Sequence, residues 1–203
     1  MVAGIVLAAG QGARIGGPKA LLETATAGET FVARACEVLR AAGVDPIVVV
    51  TAPHLVHKVG ALAGGTLVVE NPDPARGQSS SLQTGLAALA SPSLEAVVLL
   101  PVDVPFVTVD TVRALIQVWR QVGPAVVRPT RGAANGHPGV LGREVLSELT
   151  LLAPGEPANR VVRRHATATG DVQINDDGAY FDVDTVEDYV KAFGRLPGKA
   201  PVR

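Results

Sequence analysis

The sequence predicts a single, doubly wound α/β domain, and three observations carry that expectation. Apolar, β-branched runs alternate with stretches of helical periodicity along most of the chain, which argues for strands joined by helical crossovers and paired in parallel. Hydrophobic residues make up 47% of the chain but aromatic ones only 3%. The core must therefore be built from Ala, Val and Leu, as suits strands buried on both faces. The length, 203 residues, is ample for one core, and one α/β domain is the simplest division of it.

The elements follow in order. Val2 to Ala9 reads as a buried strand that opens into a loop with glycines at 10, 12, 16 and 17. Thr30 caps a helix from Phe31 to Ala42, whose Val32, Ala35, Val38, Leu39 and Ala42 recur at helical spacing. Pro46 to Thr51 is a strand, His54 to Ala63 a helix, and Leu67 to Glu70 a shorter strand. After the Pro- and Gly-broken stretch from Asn71, Gly77 opens a helix to about Ala90 with Ser79, Ser80 and Ser81 in its first turn. Ala96 to Leu100 is the cleanest buried strand, followed by a helix over Val109–Gln121 with Val112, Leu115, Ile116 and Trp119 as its core stripe. Ala125 to Pro129 is a strand, and a Gly-rich loop, Arg131 to Val140, enters a short one. Leu141 to Leu149 and Ala158 to His165 read as helices, Phe181 to Val183 as a last strand, and Thr185 as the cap of a terminal helix. The domain is expected to end near residue 194, with 195–203 as a flexible tail.

Charge and cysteine usage narrow the function classes. The formal net charge is −1, so there is no electrostatic case for nucleic acid or an anionic membrane. No apolar run approaches the ~18 residues of a membrane span. The lone Cys36 forbids an internal disulfide and falls in a helix, where it reads as a small buried hydrophobe. A cytoplasmic protein is expected.

The chemistry concentrates in the first twenty-odd residues. A loop of glycines directly after a buried strand lets backbone N–H groups cradle an anion. Arg14 and Lys19 add two cations to it, so the segment suits a polyphosphate. It is neither familiar phosphate loop: the dinucleotide fingerprint from Gly10 and Gly12 would need Gly or Ala where Ile15 stands, and the P-loop from Gly12 would need Lys where Pro18 stands. Ser79 to Ser81 offer hydroxyls and free N–H groups at a helix start. Asp103, straight after a buried strand, lies where open α/β sheets bind ligands and is a candidate for a hard divalent cation.

The segment LAAGQGARIGGPK resembles the N-terminal signature of the MobA-like nucleotidyltransferases, and Ala9, in the third place of the L-A-G-G pattern of the guanylyltransferase branch, makes it most similar to the molybdenum cofactor cytidylyltransferases. Three more segments fit the same family in order: Asn71 to Leu82, Val102-Asp103-Val104-Pro105, and Asp182-Val183-Asp184-Thr185 with Glu187-Asp188. The resemblance implies a Rossmann-like three-layer α/β/α domain, mostly parallel with one reversed strand. It implies nucleotide contacts from Leu7, Ala8, Ala9, Gly10, Gly12, Gly77, Ser79 and Ser81, with Arg14 and Lys19 on the phosphates. Asp103 and Asp184 would hold Mg²⁺, and His137 would face the acceptor. The implied substrates are CTP and molybdopterin, with an apo-molybdoenzyme as a downstream partner. Two features depart from the family: Val102 stands where relatives have Gly or Ala, and Glu156-Pro157 where they have Asp and Gly. Two other readings remain open here, a flavin- or NAD(P)H-dependent oxidoreductase on the same fold and a non-catalytic, nucleotide-binding cofactor chaperone.

Overall fold

In the computed structural model, which describes residues 1–198, strand β1 (Val2–Ala8) is buried along its whole length. Its side chains alternate: Val2, Val6 and Ala8 join one core cluster, while Ala3, Ile5 and Leu7 join the other. The remaining strands are β2 (Ile47–Thr51), β3 (Leu67–Glu70), β4 (Ala96–Pro101), β5 (Val126–Arg131), β6 (Ala134–Asn135), β7 (Gly139–Gly142) and β8 (Asp171–Gln173). They form one sheet in the order β3-β2-β1-β4-β7-β5-β6, with β8 also paired to β5. β1 lies parallel to both β2 and β4, whereas β7 runs antiparallel between β4 and β5. The chain winds outward from β1 to β3 and then crosses back to β4, so the strand order reverses between β1 and β4. A crevice opens at the carboxyl ends of the strands at such a point.

Seven α-helices among the described residues cover the sheet: α1 (Phe31–Ala41), α2 (Val56–Leu62), α3 (Gln78–Ala88), α4 (Val109–Val122), α5 (Arg143–Thr150), α6 (Ala158–His165) and α7 (Val186–Phe193). α1, α2, α4 and α7 pack on one face around Phe31, Leu39, Val59, Leu115 and Tyr189. α3, α5 and α6 pack on the other around Leu82, Leu86, Leu146 and Val161. α3 sits unusually close to the sheet: a Cβ on Gly85 would lie 3.0 Å from Ile5 and Val50 side-chain carbons.

Most expected elements form, with five differences, the smallest being the two-residue β6 inside the expected Gly-rich loop. Leu141 does not start a helix: it lies in β7, paired with Val97 and Val126, and α5 begins at Arg143. A Val-Leu pair between glycines, buried on both sides of a sheet, is too short for periodicity to separate strand from helix. Phe181 to Val183 forms no strand; the Val183 N–H donates to the Asp103 carbonyl at 2.8 Å instead. β8 was not expected because Asp-Val-Gln has too little apolar alternation to announce a strand. The tail expected over 195–203 begins with an anchored residue: Arg195 donates to the Thr24 carbonyl at 2.7 Å and pairs with Glu23, while 199–203 lie outside the described residues.

The terminal helix carries a full capping box. Thr185 accepts from the Asp188 N–H at 3.1 Å and Asp188 accepts from the Thr185 N–H at 2.9 Å. This fixes the chain direction one residue after Asp184. Thr185→Ala is expected to cost about 1 kcal/mol of stability, read by urea denaturation.

Candidate active site

At the carboxyl ends of β1 and β4 lies a cleft of about 450 Å³. Its floor is the loop after β1. Ile15 is buried and roots that loop in the core, and the Gly12 carbonyl accepts the N–H groups of Ile15 (3.0 Å) and Gly17 (3.2 Å). Gly12 has φ +61°, and a Cβ there would meet the Gly17 carbonyl oxygen at 1.9 Å, so only glycine fits. No hydrogen bond among the described residues uses the N–H of Gly10, Gln11, Gly12, Ala13 or Arg14. Five donors without protein partners are therefore gathered in one short segment that borders the cleft.

Two aspartates meet above this loop. Asp103 follows β4, and the Val183–Asp103 backbone bond brings Asp184 beside it. The Lys19 ammonium sits between them: Nζ donates to Asp103 Oδ2 at 2.7 Å and to Asp184 Oδ1. Arg14 donates to the other Asp184 oxygen at 2.9 Å. The Lys19 side chain is only 13% exposed whereas Arg14 is 68% exposed, so the lysine is seated in the site and the arginine stands at its mouth.

Burial works to lower the Lys19 ammonium, but the hydrogen bonds and charges of the two aspartates outweigh it and hold it above the usual lysine value. The Lys19 hydrogen bond holds Asp184 below the usual carboxylate range, with Arg14 assisting against partial burial. The signs set a pH window. Asp184, depressed in the folded state, contributes stability above the ordinary carboxylate value of 3.8 and loses it as pH falls through the lower folded value. Lys19, raised in the folded state, contributes below 10.5 and loses it as pH rises through its higher folded value. A pH series of denaturation curves is expected to show both losses in wild type; in Lys19→Met the alkaline loss disappears and the acid loss shrinks without vanishing, because Arg14 still pairs with Asp184.

Of the residues expected to contact a nucleotide, Leu7, Ala9, Gly10, Gly12, Arg14, Lys19, Gly77 and Ser81 line the cleft together with Asp103 and Asp184. Ala8 and Ser79 are not among its lining residues. The side chain of Ala8 belongs to the core. The Ser79 hydroxyl donates to the Glu156 carbonyl at 2.7 Å and accepts from the Ala158 N–H at 2.9 Å, tying the segment before α6 to the first turn of α3. His137 is half-buried outside the cleft, its N–H bonded to the Ala179 carbonyl at 2.7 Å. Sequence reasoning missed Gln11, Ala13, Pro74, Gln78 and Pro101, which complete the lining. It also left Asp182 without a role. Partial burial, then the like charges of Asp103 and Asp184, push that carboxyl above its usual range, against the pull of His137 and Lys19. The run of two acidic residues flanking Val183 was the available signal.

The donor set fits a divalent cation. Two carboxylates from separate segments converge on one cationic centre, the Lys19 ammonium, which stands in for such an ion. Among the described residues no group of three or more acidic, His or Cys side chains could hold a metal unaided. A pair of carboxylates is a share of the shell that a hard divalent cation can take from a protein, with water and phosphate oxygens supplying the rest.

The model of the MobA-like NTP transferase domain matches residues 4–169. A protein named probable molybdenum cofactor guanylyltransferase, from Rhodopirellula baltica, is 29% identical over 124 residues, covering 61% of this chain and 58% of that relative, less than two thirds of its length. The crystal structure of Rv0371c from Mycobacterium tuberculosis H37Rv superposes with a TM-score of 0.80 at 29% identity, covering 96% of this chain and 97% of that one. The same protein in complex with manganese gives 0.77 at 28% identity, over 96% and 99%. These likenesses give the oxidoreductase alternative no support. With the matched model spanning most of its length and the cleft at the expected strand ends, the chain belongs to the MobA-like NTP transferase family.

Proposed function

We propose that this protein transfers a nucleoside monophosphate from a nucleoside triphosphate to the terminal phosphate of a molybdopterin-type acceptor, with release of pyrophosphate. The observation that carries the reading is the Lys19 ammonium between Asp103 and Asp184, set over a glycine loop with free N–H groups. An acceptor phosphate oxygen attacks the α-phosphorus in line, and the bond from that phosphorus to the bridging oxygen of the leaving pyrophosphate breaks. Both reactants are anions, so the site's task is to gather positive charge where negative charge accumulates. The loop N–H groups, Arg14 and Lys19 hold the β- and γ-phosphates and stabilise the charge that grows on the leaving group. Asp103 and Asp184 would hold Mg²⁺, which when bound supplies Lewis-acid polarisation of the α-phosphate. The manganese complex of the Mycobacterium tuberculosis relative supports a divalent cation for this chain. An acceptor phosphate is ionised near neutral pH, so no general base is needed. His137 belongs to the acceptor side in this reading, and the enzyme works in the cytoplasm.

The favoured nucleotide is CTP, because Ala9 lines the cleft where the guanylyltransferase branch carries glycine. The name of the Rhodopirellula baltica relative makes GTP the competing substrate. Pyrophosphate release, measured with each nucleotide, Mg²⁺ and molybdopterin, tests the reading. Release with CTP well above that with GTP is the expected outcome. Release with GTP alone reverses the base preference, and release with neither overturns nucleotidyl transfer.

A further inference from the structure

Three successive serines open α3, and their hydrogen bonds are not alike. Ser79 is committed on both sides to the segment before α6. Ser80 donates to the Gly77 carbonyl at 2.8 Å. Ser81 alone lines the cleft, and it accepts from Asn71 Nδ2 at 2.9 Å. Asn71 is 1% exposed, and its Nδ2 donates to Ser80 Oγ as well, at 2.8 Å.

The orientation of the Asn71 amide is set independently of the serines. Its Oδ1 accepts from the Asp73 backbone N–H at 3.0 Å, and a backbone N–H can only donate. The carbonyl must face Asp73, so the NH₂ must face the serines. Ser81 is thereby held as an acceptor on its Asn71 side, and its single proton is left over. A helical serine commonly spends that proton on the carbonyl four residues back, as Thr84 does on Ser80 at 2.9 Å. For Ser81 that carbonyl is Gly77, which already accepts both the N–H (3.2 Å) and the hydroxyl (2.8 Å) of Ser80. The Ser80 hydroxyl also lies 3.3 Å from the Asp73 carbonyl, but no bond from the Ser81 hydroxyl to the Gly77 carbonyl forms among the described residues. Among the described residues the Ser81 proton has no acceptor in the protein.

We propose that Asn71 is a positioning residue for base recognition: it holds Ser81 as a hydrogen-bond donor to the cleft. The α3 wall of the cleft therefore takes a base that presents an acceptor there, a carbonyl oxygen or an unprotonated ring nitrogen. The inference rests on the nucleotide reading above and adds the polarity of the contact, together with the buried residue that imposes it.

Asn71→Asp tests it with almost no change of shape. A carboxylate at 71 accepts from Ser81 and turns its proton away from the cleft. The dissociation constant of CTP (or GTP, whichever wild type binds), measured by calorimetry with Mg²⁺, is expected to rise about tenfold in Asn71→Asp and equally in Ser81→Ala. In the Ser81→Ala background the Asn71 substitution is expected to cost no further affinity, because its effect runs through Ser81. Binding of tripolyphosphate, which has no base, is expected to be unchanged in all three variants. Thermal unfolding checks that each variant folds, and if Asn71→Asp does not, Asn71→Ala takes its place in the same cycle. An equal loss on substituting Asn71 with and without the Ser81 hydroxyl overturns the proposal, as does an equal loss with tripolyphosphate or no loss at all. Wild type that binds neither CTP nor GTP sinks the nucleotide reading itself, a separate outcome.

Discussion

Asparagine in place of Asp103 is expected to lower the turnover of nucleotidyl transfer about a hundred- to a thousandfold, on the order of 3 kcal/mol of transition-state stabilisation. The substitution keeps size and one acceptor oxygen, exchanges the other for an NH₂ donor and removes one negative charge. Lys19 retains Asp184 as a partner, so the ground-state structure keeps its ammonium in place. On the proposed reading, what is lost is one of the two carboxylates that would hold a divalent cation in the cleft. Single-turnover pyrophosphate release, with binding measured separately, distinguishes the cases: turnover falls while nucleotide affinity changes by less than tenfold. Asp103→Asn with wild-type turnover in Mg²⁺ would remove this aspartate from the mechanism.

Gly12→Ala is the second large effect. The position combines φ +61° with a Cβ that would stand 1.9 Å from the Gly17 carbonyl oxygen. A left-handed non-glycine residue costs on the order of 1–3 kcal/mol. The clash adds to this, because Gly17 cannot yield without losing its bond to the Gly12 carbonyl. The loop must open, and the row of free N–H groups disperses. Nucleotide affinity is expected to fall at least about tenfold, and the melting temperature falls with it, because Ile15 ties the loop to the core. Calorimetric titration beside a thermal melt reads both, and unchanged affinity would show that the loop does not cradle the phosphates.

The parts of the fold that the sequence discloses are those governed by one local rule. Long amphipathic helices such as α1 and α4 carry their apolar stripes in plain view, and α1 its cap at Thr30. β7 and β8 are set by pairing partners far along the chain, and three or four residues hold too little pattern to announce them. The site divides the same way. Gly12 and Asp103 are legible because each follows a buried strand within a few residues, and Lys19 because it closes the same glycine loop. Asp184 reaches them through a single backbone bond from Val183, which no periodicity encodes. Ser79 misleads because three adjacent serines look equivalent in sequence, and only the packing of α6 shows that one of them faces another helix. Asn71 stays hidden because its importance lies in an amide orientation set two residues away.

The seating of Lys19 has a consequence for how ligands arrive. Arg14 and Lys19 match Asp103 and Asp184 one for one, and Asp182 adds a further acid beside them, within a chain whose net charge is −1. Such a site exerts no long-range pull on a polyanion. On the proposed reading it would behave as an ion exchanger: phosphate oxygens would replace carboxylates around the two basic side chains and free Asp103 and Asp184 to hold a divalent cation. Neither swap is favourable alone, since each strands a charge in a half-buried cleft, and the site is therefore built to accept the neutralised pair rather than either ion by itself.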